Sequence, residues 1–162
     1  FTSSGTDSKV CLGLADSYEN IYAEASMYHA GFSAAPAGGS IFMGLYGASG
    51  AIDVGLFVPW YTWASWWYSG HEDAGYFVCD NAVVPSYPYA RLAGLSDIAG
   101  WKQVTIEYDA SVPVATGCVD GSCASITPTI MMDAVSRICF TTNPESSGWT
   151  YIDDVYAHTW ID

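Results

Sequence analysis

The nine residues from Trp60 to Tyr68 carry more aromatic surface than one side of a single strand normally buries. The run reads Trp-Tyr-Thr-Trp-Ala-Ser-Trp-Trp-Tyr. Alternation along a strand sends its large side chains to both faces: Trp60, Trp66 and Tyr68 to one, and Tyr61, Trp63 and Trp67 to the other. Core packing on one face and a covering loop on the other would account for about half of this surface. Because aromatic side chains line ligand sites and dominate interface hot spots, we expect one face to bind a polysaccharide or a second subunit.

Two carboxylates, Glu107 and Asp109, stand two residues apart in Glu-Tyr-Asp and therefore share one face of a strand. Paired carboxylates on one face are what glycoside hydrolysis requires, provided that one of them has a raised pKa. A solvated polar face is the simpler interpretation. In Asp153-Asp154 the two side chains are expected to point to opposite faces, so that only one can serve a given site.

Oxygen ligands for calcium occur at Glu72, Asp73 and Asp80, although nothing matches the twelve-residue loop with its fixed glycine. The three histidines, His29, His71 and His158, lack the local spacing of a zinc site. We therefore expect no cofactor and no metal, with calcium as the alternative.

Five cysteines occur without a Cys-x-x-Cys pair, a pattern that favours disulfides in an oxidising compartment. Cys118 and Cys123 flank Val-Asp-Gly-Ser, a turn sequence that brings two strands together, so we pair them. Cys11, Cys79 and Cys139 remain, and one of these three must be unpaired or bonded to another chain.

Strand-like runs that could position these residues recur along the whole chain, separated by Gly, Pro, Asn and Asp. They span 9–14, 21–27, 40–46, 51–68, 75–79, 101–108, 126–132, 136–142 and 150–160. In the run from Trp101 to Asp109, the residues Val104, Ile106 and Tyr108 share the predicted core face. Only 90–98 could hold a short helical turn. The pattern predicts a single all-β domain.

Four basic side chains stand against seventeen acidic ones, giving a formal charge of -13. This charge repels phosphate backbones and anionic lipid, so nucleic acid and acidic membranes are poor candidates as partners. No run approaches the eighteen apolar residues of a membrane span. The chain begins at Phe1 without an initiator methionine, which we interpret as a mature, secreted, extracellular protein after removal of a signal peptide.

Three segments resemble jelly-roll β-sandwiches of the concanavalin A-like or laminin-G-like kind, and also galactose-binding-like carbohydrate-binding domains. They are Gly100-Trp-Lys-Gln-Val-Thr-Ile-Glu-Tyr-Asp, Gly39-Ser-Ile-Phe-Met-Gly-Leu-Tyr and Tyr151-Ile-Asp-Asp-Val-Tyr. The resemblance implies an antiparallel jelly-roll β-sandwich. Glycosidases with this fold carry Glu-x-Asp-x-x-Glu on one strand, and Val112 stands where the second Glu of that motif would be.

Residues 1–8 have the composition of a frayed tail, and we expect them to add as an extended strand to a neighbouring subunit, with residues 9–162 forming the sandwich. Such a head-to-tail contact would generate a filament. The first hypothesis is therefore a non-catalytic, adhesive or structural protein that self-assembles into an extracellular fibril or surface layer. The alternative is a carbohydrate-binding, lectin-like module that uses Trp60 to Tyr68, and the third is a glycoside-active enzyme that uses Glu107 and Asp109.

Overall fold

The computed structural model describes residues 8–29, 39–58, 75–80, 86–94, 99–129, 131–142 and 150–159. These residues form eleven β-strands and no helix. In chain order the strands are β1 Ser8–Tyr18, β2 Asn20–His29, β3 Gly39–Gly47, β4 Ala51–Val58, β5 Gly75–Asp80, β6 Ser86–Arg91, β7 Gly100–Asp109, β8 Val114–Val119, β9 Ser122–Ile126, β10 Val135–Thr142 and β11 Thr150–His158.

The strands make two antiparallel sheets that pack face to face. One sheet has six strands in the order β1-β10-β3-β4-β5-β6, and the other has five in the order β11-β2-β7-β8-β9. The strand β1 is an edge strand of the six-stranded sheet, and β11 is an edge strand of the five-stranded sheet, because each pairs with one neighbour only. The protein is an all-β jelly-roll sandwich: the strand pattern predicts the all-β class, and the resemblance implies the jelly roll.

The core lies between the sheets and is built from alternate residues of each strand. On β7, Val104, Ile106 and Tyr108 are buried, whereas Trp101 and Glu107 on the other face are exposed. Among the described residues Tyr108 is the largest fully buried side chain, and its hydroxyl donates to the carbonyl of Met132 at 2.8 Å. The inward face predicted for this strand is therefore confirmed.

Two local predictions differ from the structure, and a third is tested only in part. Residues 90 and 91 belong to β6 rather than to a helical turn, because Ala90 pairs with Val78 in the six-stranded sheet. The predicted strand 126–132 overlaps β9 only at Ile126, and the described residues that follow it, 127–129 and 131–132, form no strand. Of the predicted run 51–68, the part after Val58 lies outside the described residues.

Two disulfides connect neighbouring strands. Cys118 and Cys123 are joined across the β8–β9 hairpin, the pair that the turn sequence predicts. Cys11 bonds to Cys139 of the same chain, because β1 and β10 are adjacent and place the two cysteines opposite each other. The unpaired cysteine is Cys79, which is buried. The intermolecular bond considered for Cys11 is thus replaced by an internal one.

The outer faces of the two sheets differ in exposure. All six residues of β5 are buried, so this strand, which lies between β4 and β6 in the six-stranded sheet, is covered on both faces. Along β7 of the five-stranded sheet, burial alternates and the outward side chains reach solvent. The outward surface of the five-stranded sheet, called the open face below, is therefore the accessible one. No helix in the described parts of the chain has the length and apolarity that crossing a membrane requires.

Candidate functional site

The open face carries aromatic side chains at one end of three neighbouring strands. Tyr28 of β2 lies opposite Trp101 of β7 and Tyr151 of β11. The ring centroids of Tyr28 and Trp101 are 5.4 Å apart, and those of Tyr28 and Tyr151 are 5.7 Å apart. We call these three residues the first aromatic cluster.

The three rings of the first aromatic cluster are tilted against one another and do not form a flat surface. Tyr28 is half-buried in the middle, whereas Trp101 is 53% and Tyr151 is 50% exposed on either side. The outer rings are tilted by 56° and 53° against that of Tyr28. Because these three rings adjoin one another and two of them are half exposed, the first aromatic cluster is a candidate binding surface.

A groove of about 260 Å³ lies directly beside the first aromatic cluster. It is lined by Ser26, Trp101, Lys102, Gln103, Asp153 and Asp154. Carboxylate oxygens accept hydrogen bonds, while the amide of Gln103 and the hydroxyl of Ser26 can both accept and donate. The groove therefore offers an aromatic wall together with groups that pair with hydroxyls.

A β-bulge in β11 brings both aspartates into this groove. The register of β11 against β2 shifts by one residue between Asp153 and Tyr156, and Asp154 has a φ of 51°. The backbone N–H of Asp154 donates to the carboxylate of Asp153 at 2.9 Å. Strict alternation predicts that the two aspartates point to opposite faces; because of the bulge, both line the same groove.

The start of β7 is fixed by Asp120 in the β8–β9 turn. The carboxylate of Asp120 accepts the backbone N–H of Gln103 at 2.9 Å and pairs with the ammonium of Lys102 at 3.0 Å. The hydroxyl of Ser26 donates to the side-chain oxygen of Gln103 at 3.2 Å. Asp120 and Gly121 have φ values of 48° and 80°, as the Asp-Gly pair of a two-residue hairpin turn requires.

A second group of aromatic rings lies at the other end of the open face. Tyr22 of β2 contacts His158 of β11 with ring centroids 4.9 Å apart, and His158 contacts Tyr156 at 5.6 Å. The hydroxyl of Tyr22 donates to the carboxylate of Glu24 at 2.7 Å. Burial and this hydrogen bond to Glu24 raise the pKa of Tyr22 to about 12. Tyr22, Tyr156 and His158 are the second aromatic cluster.

The carboxylates Glu107 and Asp109 lie on the open face as predicted, but that of Asp109 is hydrogen-bonded within the turn that follows β7. Its carboxylate accepts the hydroxyl of Ser111 at 2.7 Å and the backbone N–H of Ser111 at 2.8 Å. The side-chain and backbone hydrogen bonds from Ser111 lower the pKa of Asp109. A general acid of a glycosidase needs a raised pKa, so Asp109 is suited to capping the β7–β8 turn rather than to proton donation.

Other predicted site residues fall largely outside the described part of the chain. Trp60, Tyr61, Trp63, Trp66, Trp67 and Tyr68 lie outside it, as do Glu72 and Asp73. Asp80 is buried, and its carboxylate accepts the backbone N–H of Thr129 at 2.8 Å. Among the described residues, no group of three or more His, Cys, Asp or Glu side chains has metal-binding geometry.

The aromatic residues of the open face were not predicted as a site from the sequence. Trp101 was assigned to the outward face of its strand, but Tyr28 and Tyr151 are distant from it in the chain and meet it only through the strand order β11-β2-β7. The available signal was the alternation of Tyr22, Glu24, Ser26 and Tyr28 with small or apolar residues in β2.

Comparisons with known proteins bear on the fold. No protein-family model and no curated protein matches the sequence. Among solved structures, a tetrameric galectin from Cinachyrella sp. (ball sponge) is 12% identical with a TM-score of 0.59, over 93% of this chain and 99% of that one. The Emp46p carbohydrate recognition domain in its potassium-bound form is 15% identical with a TM-score of 0.61, over 98% of this chain and 81% of that one.

A protein described as a sialidase is also similar, with 9% identity and a TM-score of 0.64. The match covers 95% of this chain, which spans only 14% of the length of that protein. At these identities the likeness shows the fold, and the resemblance to carbohydrate-binding sandwich domains noted from the sequence is confirmed at that level.

Proposed function

We propose that this chain is a secreted, non-catalytic carbohydrate-binding module and that the open face of the five-stranded sheet is its binding surface. The observation that carries the proposal is the first aromatic cluster beside its polar groove: Trp101 and Tyr151 are half exposed, and Gln103 and Asp153 lie next to them. Sites for small polar molecules combine apolar surface with a few directed polar groups in this way.

The chemistry of the groove matches a polyhydroxylated ligand. A sugar ring has apolar C–H faces that pack on an aromatic ring, and its hydroxyls lie at the edge, where they can donate to carboxylates. Asp153 and Asp154 supply such acceptors, and Gln103 supplies an amide. A solvated polar strand face alone does not account for the half-exposed tryptophan and tyrosine placed on either side of Tyr28.

The similar proteins favour this carbohydrate-binding alternative over the fibril hypothesis. One is a galectin and another is a carbohydrate recognition domain by name. Two disulfides within the chain fit a protein of an oxidising, extracellular compartment. Asp109 accepts two hydrogen bonds from Ser111 in the turn after β7, and this structural engagement of one of the two predicted carboxylates supports a non-catalytic module.

Affinity electrophoresis tests the proposal. The native gel contains one of five neutral polysaccharides: β-glucan, mannan, xylan, galactan or soluble chitin. We expect at least one of them to retard the protein, and we expect Trp101→Ala and Tyr151→Ala to weaken that binding roughly tenfold or more, as for a central aromatic anchor. Met131→Ala is the matched control, since Met131 is 58% exposed and lies beside Ser49 in the β3–β4 turn of the other sheet.

Two results would contradict the proposal. If none of the five polysaccharides retards the protein, the open face is not a glycan site. If a polysaccharide retards the wild type and Trp101→Ala equally, the glycan binds elsewhere on the chain. Circular dichroism of each variant checks that the sandwich is intact before either conclusion is drawn.

A further inference from the structure

The second aromatic cluster lies on the same open face and is not used by the site proposed above. Tyr156 is 54% exposed, comparable to Trp101 in the first cluster. Its neighbours Tyr22 and His158 are in ring contact with each other. The open face therefore has aromatic surface at both ends.

The two clusters are joined by β2. Tyr22 and Tyr28 belong one to each cluster and lie six positions apart in the same strand, which corresponds to roughly 20 Å at about 3.3 Å per residue. Even spacing keeps both rings on the same face. A chain of sugar units that runs parallel to β2 would contact both clusters at once.

Polar side chains fill the interval between the clusters. Ser26 and Glu24 of β2 face outward here, and in the register of the sheet Ser26 lies beside Gln103 of β7 and Asp153 of β11. The next row places Glu24 beside Thr105. Each of these side chains ends in a hydroxyl, amide or carboxylate group, so the middle of the face can hydrogen-bond to the edges of sugar rings.

We infer, on the basis of the proposed function, that the open face binds an extended, uncharged glycan chain along β2, with one aromatic cluster under each end. A terminal monosaccharide would use the first cluster only and would leave Tyr156 exposed without a role. The proposal assigns Tyr156 and His158 to the far end of a longer site.

The charge of the face determines the class of glycan. Glu24, Glu107, Asp153 and Asp154 are carboxylates along the path, and the outward positions of the described strands of this sheet hold no Lys or Arg. Lys102 lines the groove but pairs with Asp120 at 3.0 Å, and its side chain is only 12% exposed. Uronic acids and sulfated sugars would therefore meet repulsion without a compensating cation.

Isothermal titration calorimetry with a length series tests this inference. The probes are the disaccharide through the hexasaccharide of whichever neutral polysaccharide retards the protein. We expect affinity to rise at least roughly tenfold from the disaccharide to the length that spans both clusters, and then to level off. We expect Tyr156→Ala to remove this gain while leaving the disaccharide affinity unchanged, and Trp101→Ala to weaken every length.

The outcomes separate the two proposals. Affinity that does not depend on length, or a hexasaccharide that binds Tyr156→Ala as well as wild type, would overturn the extended site but leave the first cluster as a sugar site. Loss of binding to every neutral glycan would overturn both. Tighter binding of oligogalacturonate, or of oligolysine, would overturn the assignment to uncharged glycans, and Met131→Ala again serves as the control variant.

Discussion

Gly44 and Asp53 lie opposite each other on β3 and β4, two neighbouring strands whose residues 41–47 and 51–56 are all buried. Asp53 is fully buried, and its carboxyl group accepts the hydroxyl of Tyr46 at 3.1 Å. A Cβ atom on Gly44 would overlap the side-chain oxygen of Asp53 and come within 2.6 Å of the Tyr46 ring. The missing side chain of Gly44 is therefore what makes room for this buried hydrogen bond.

Gly44→Ala is expected to lower the free energy of unfolding by about 2–4 kcal/mol, because the new methyl group overpacks the site and displaces a buried hydrogen-bonded pair. Urea unfolding followed by fluorescence measures the change. Gly13→Ala is the matched control: Gly13 is also a strand glycine, but nothing lies within 4 Å of an added Cβ, so the change should be about 1 kcal/mol or less. Equal losses in both variants would show that the Asp53 carboxyl group moves aside freely.

Single residues on the open face show what alternation can predict. The face of β7 that carries Trp101 and Glu107 was assigned correctly from the period of two, because both side chains follow an uninterrupted strand. Asp109 shares that face, yet its role depends on Ser111 in the turn that follows. Aromatic residues are densest in the sequence at Trp60 to Tyr68, whereas the first aromatic cluster of the open face is shared among three strands and the second between two.

At the scale of elements, the closing strand β11 shows where such prediction fails. Counting in twos from Tyr151 places Val155 and Ala157 on the open face. The bulge at Asp154 adds one residue, so that Tyr156 and His158 face outward while Ala157 packs against the core. A bulge of this kind depends on a left-handed backbone at a non-glycine residue, which the sequence does not signal.

The two disulfides differ in the length of chain that they close. Cys11 and Cys139 are separated by 128 positions and tie the edge strand β1 to β10, whereas Cys118 and Cys123 are separated by 5. The loss of chain entropy in the unfolded state predicts a contribution of about 5 kcal/mol for the long loop and about 2 kcal/mol for the short one.

Two double variants measure this difference. We expect Cys11→Ala with Cys139→Ala to destabilise the protein more than Cys118→Ala with Cys123→Ala, by about 3 kcal/mol in urea unfolding at neutral pH. Each pair serves as the control for the other, since both remove one cross-strand bond. A larger loss from the hairpin pair would show that local geometry outweighs loop length in this fold.

For the whole molecule, two sheets of similar size have different outer surfaces. The sequence predicts the number and period of most strands, but the order β11-β2-β7 depends on contacts between distant segments. That order brings Tyr151, Tyr28 and Trp101 together on the open face. The fold class was therefore accessible from the sequence, and the site was not.

The overall charge predicts how copies of this chain behave towards one another. At neutral pH the formal charge of -13 causes mutual repulsion, and the charge approaches zero near the isoelectric point of about 4.1. We expect sedimentation velocity in dilute, low-salt solution to give a monomer at pH 7 and association as the pH falls towards 4.1. Salt screens the repulsion between exposed charges. Added salt should therefore weaken the concentration dependence of the sedimentation coefficient more at pH 7 than near pH 4.1. Filaments or stable oligomers at pH 7 and low salt would restore the self-assembly hypothesis, since attraction at a specific interface would then exceed the repulsion between like-charged copies.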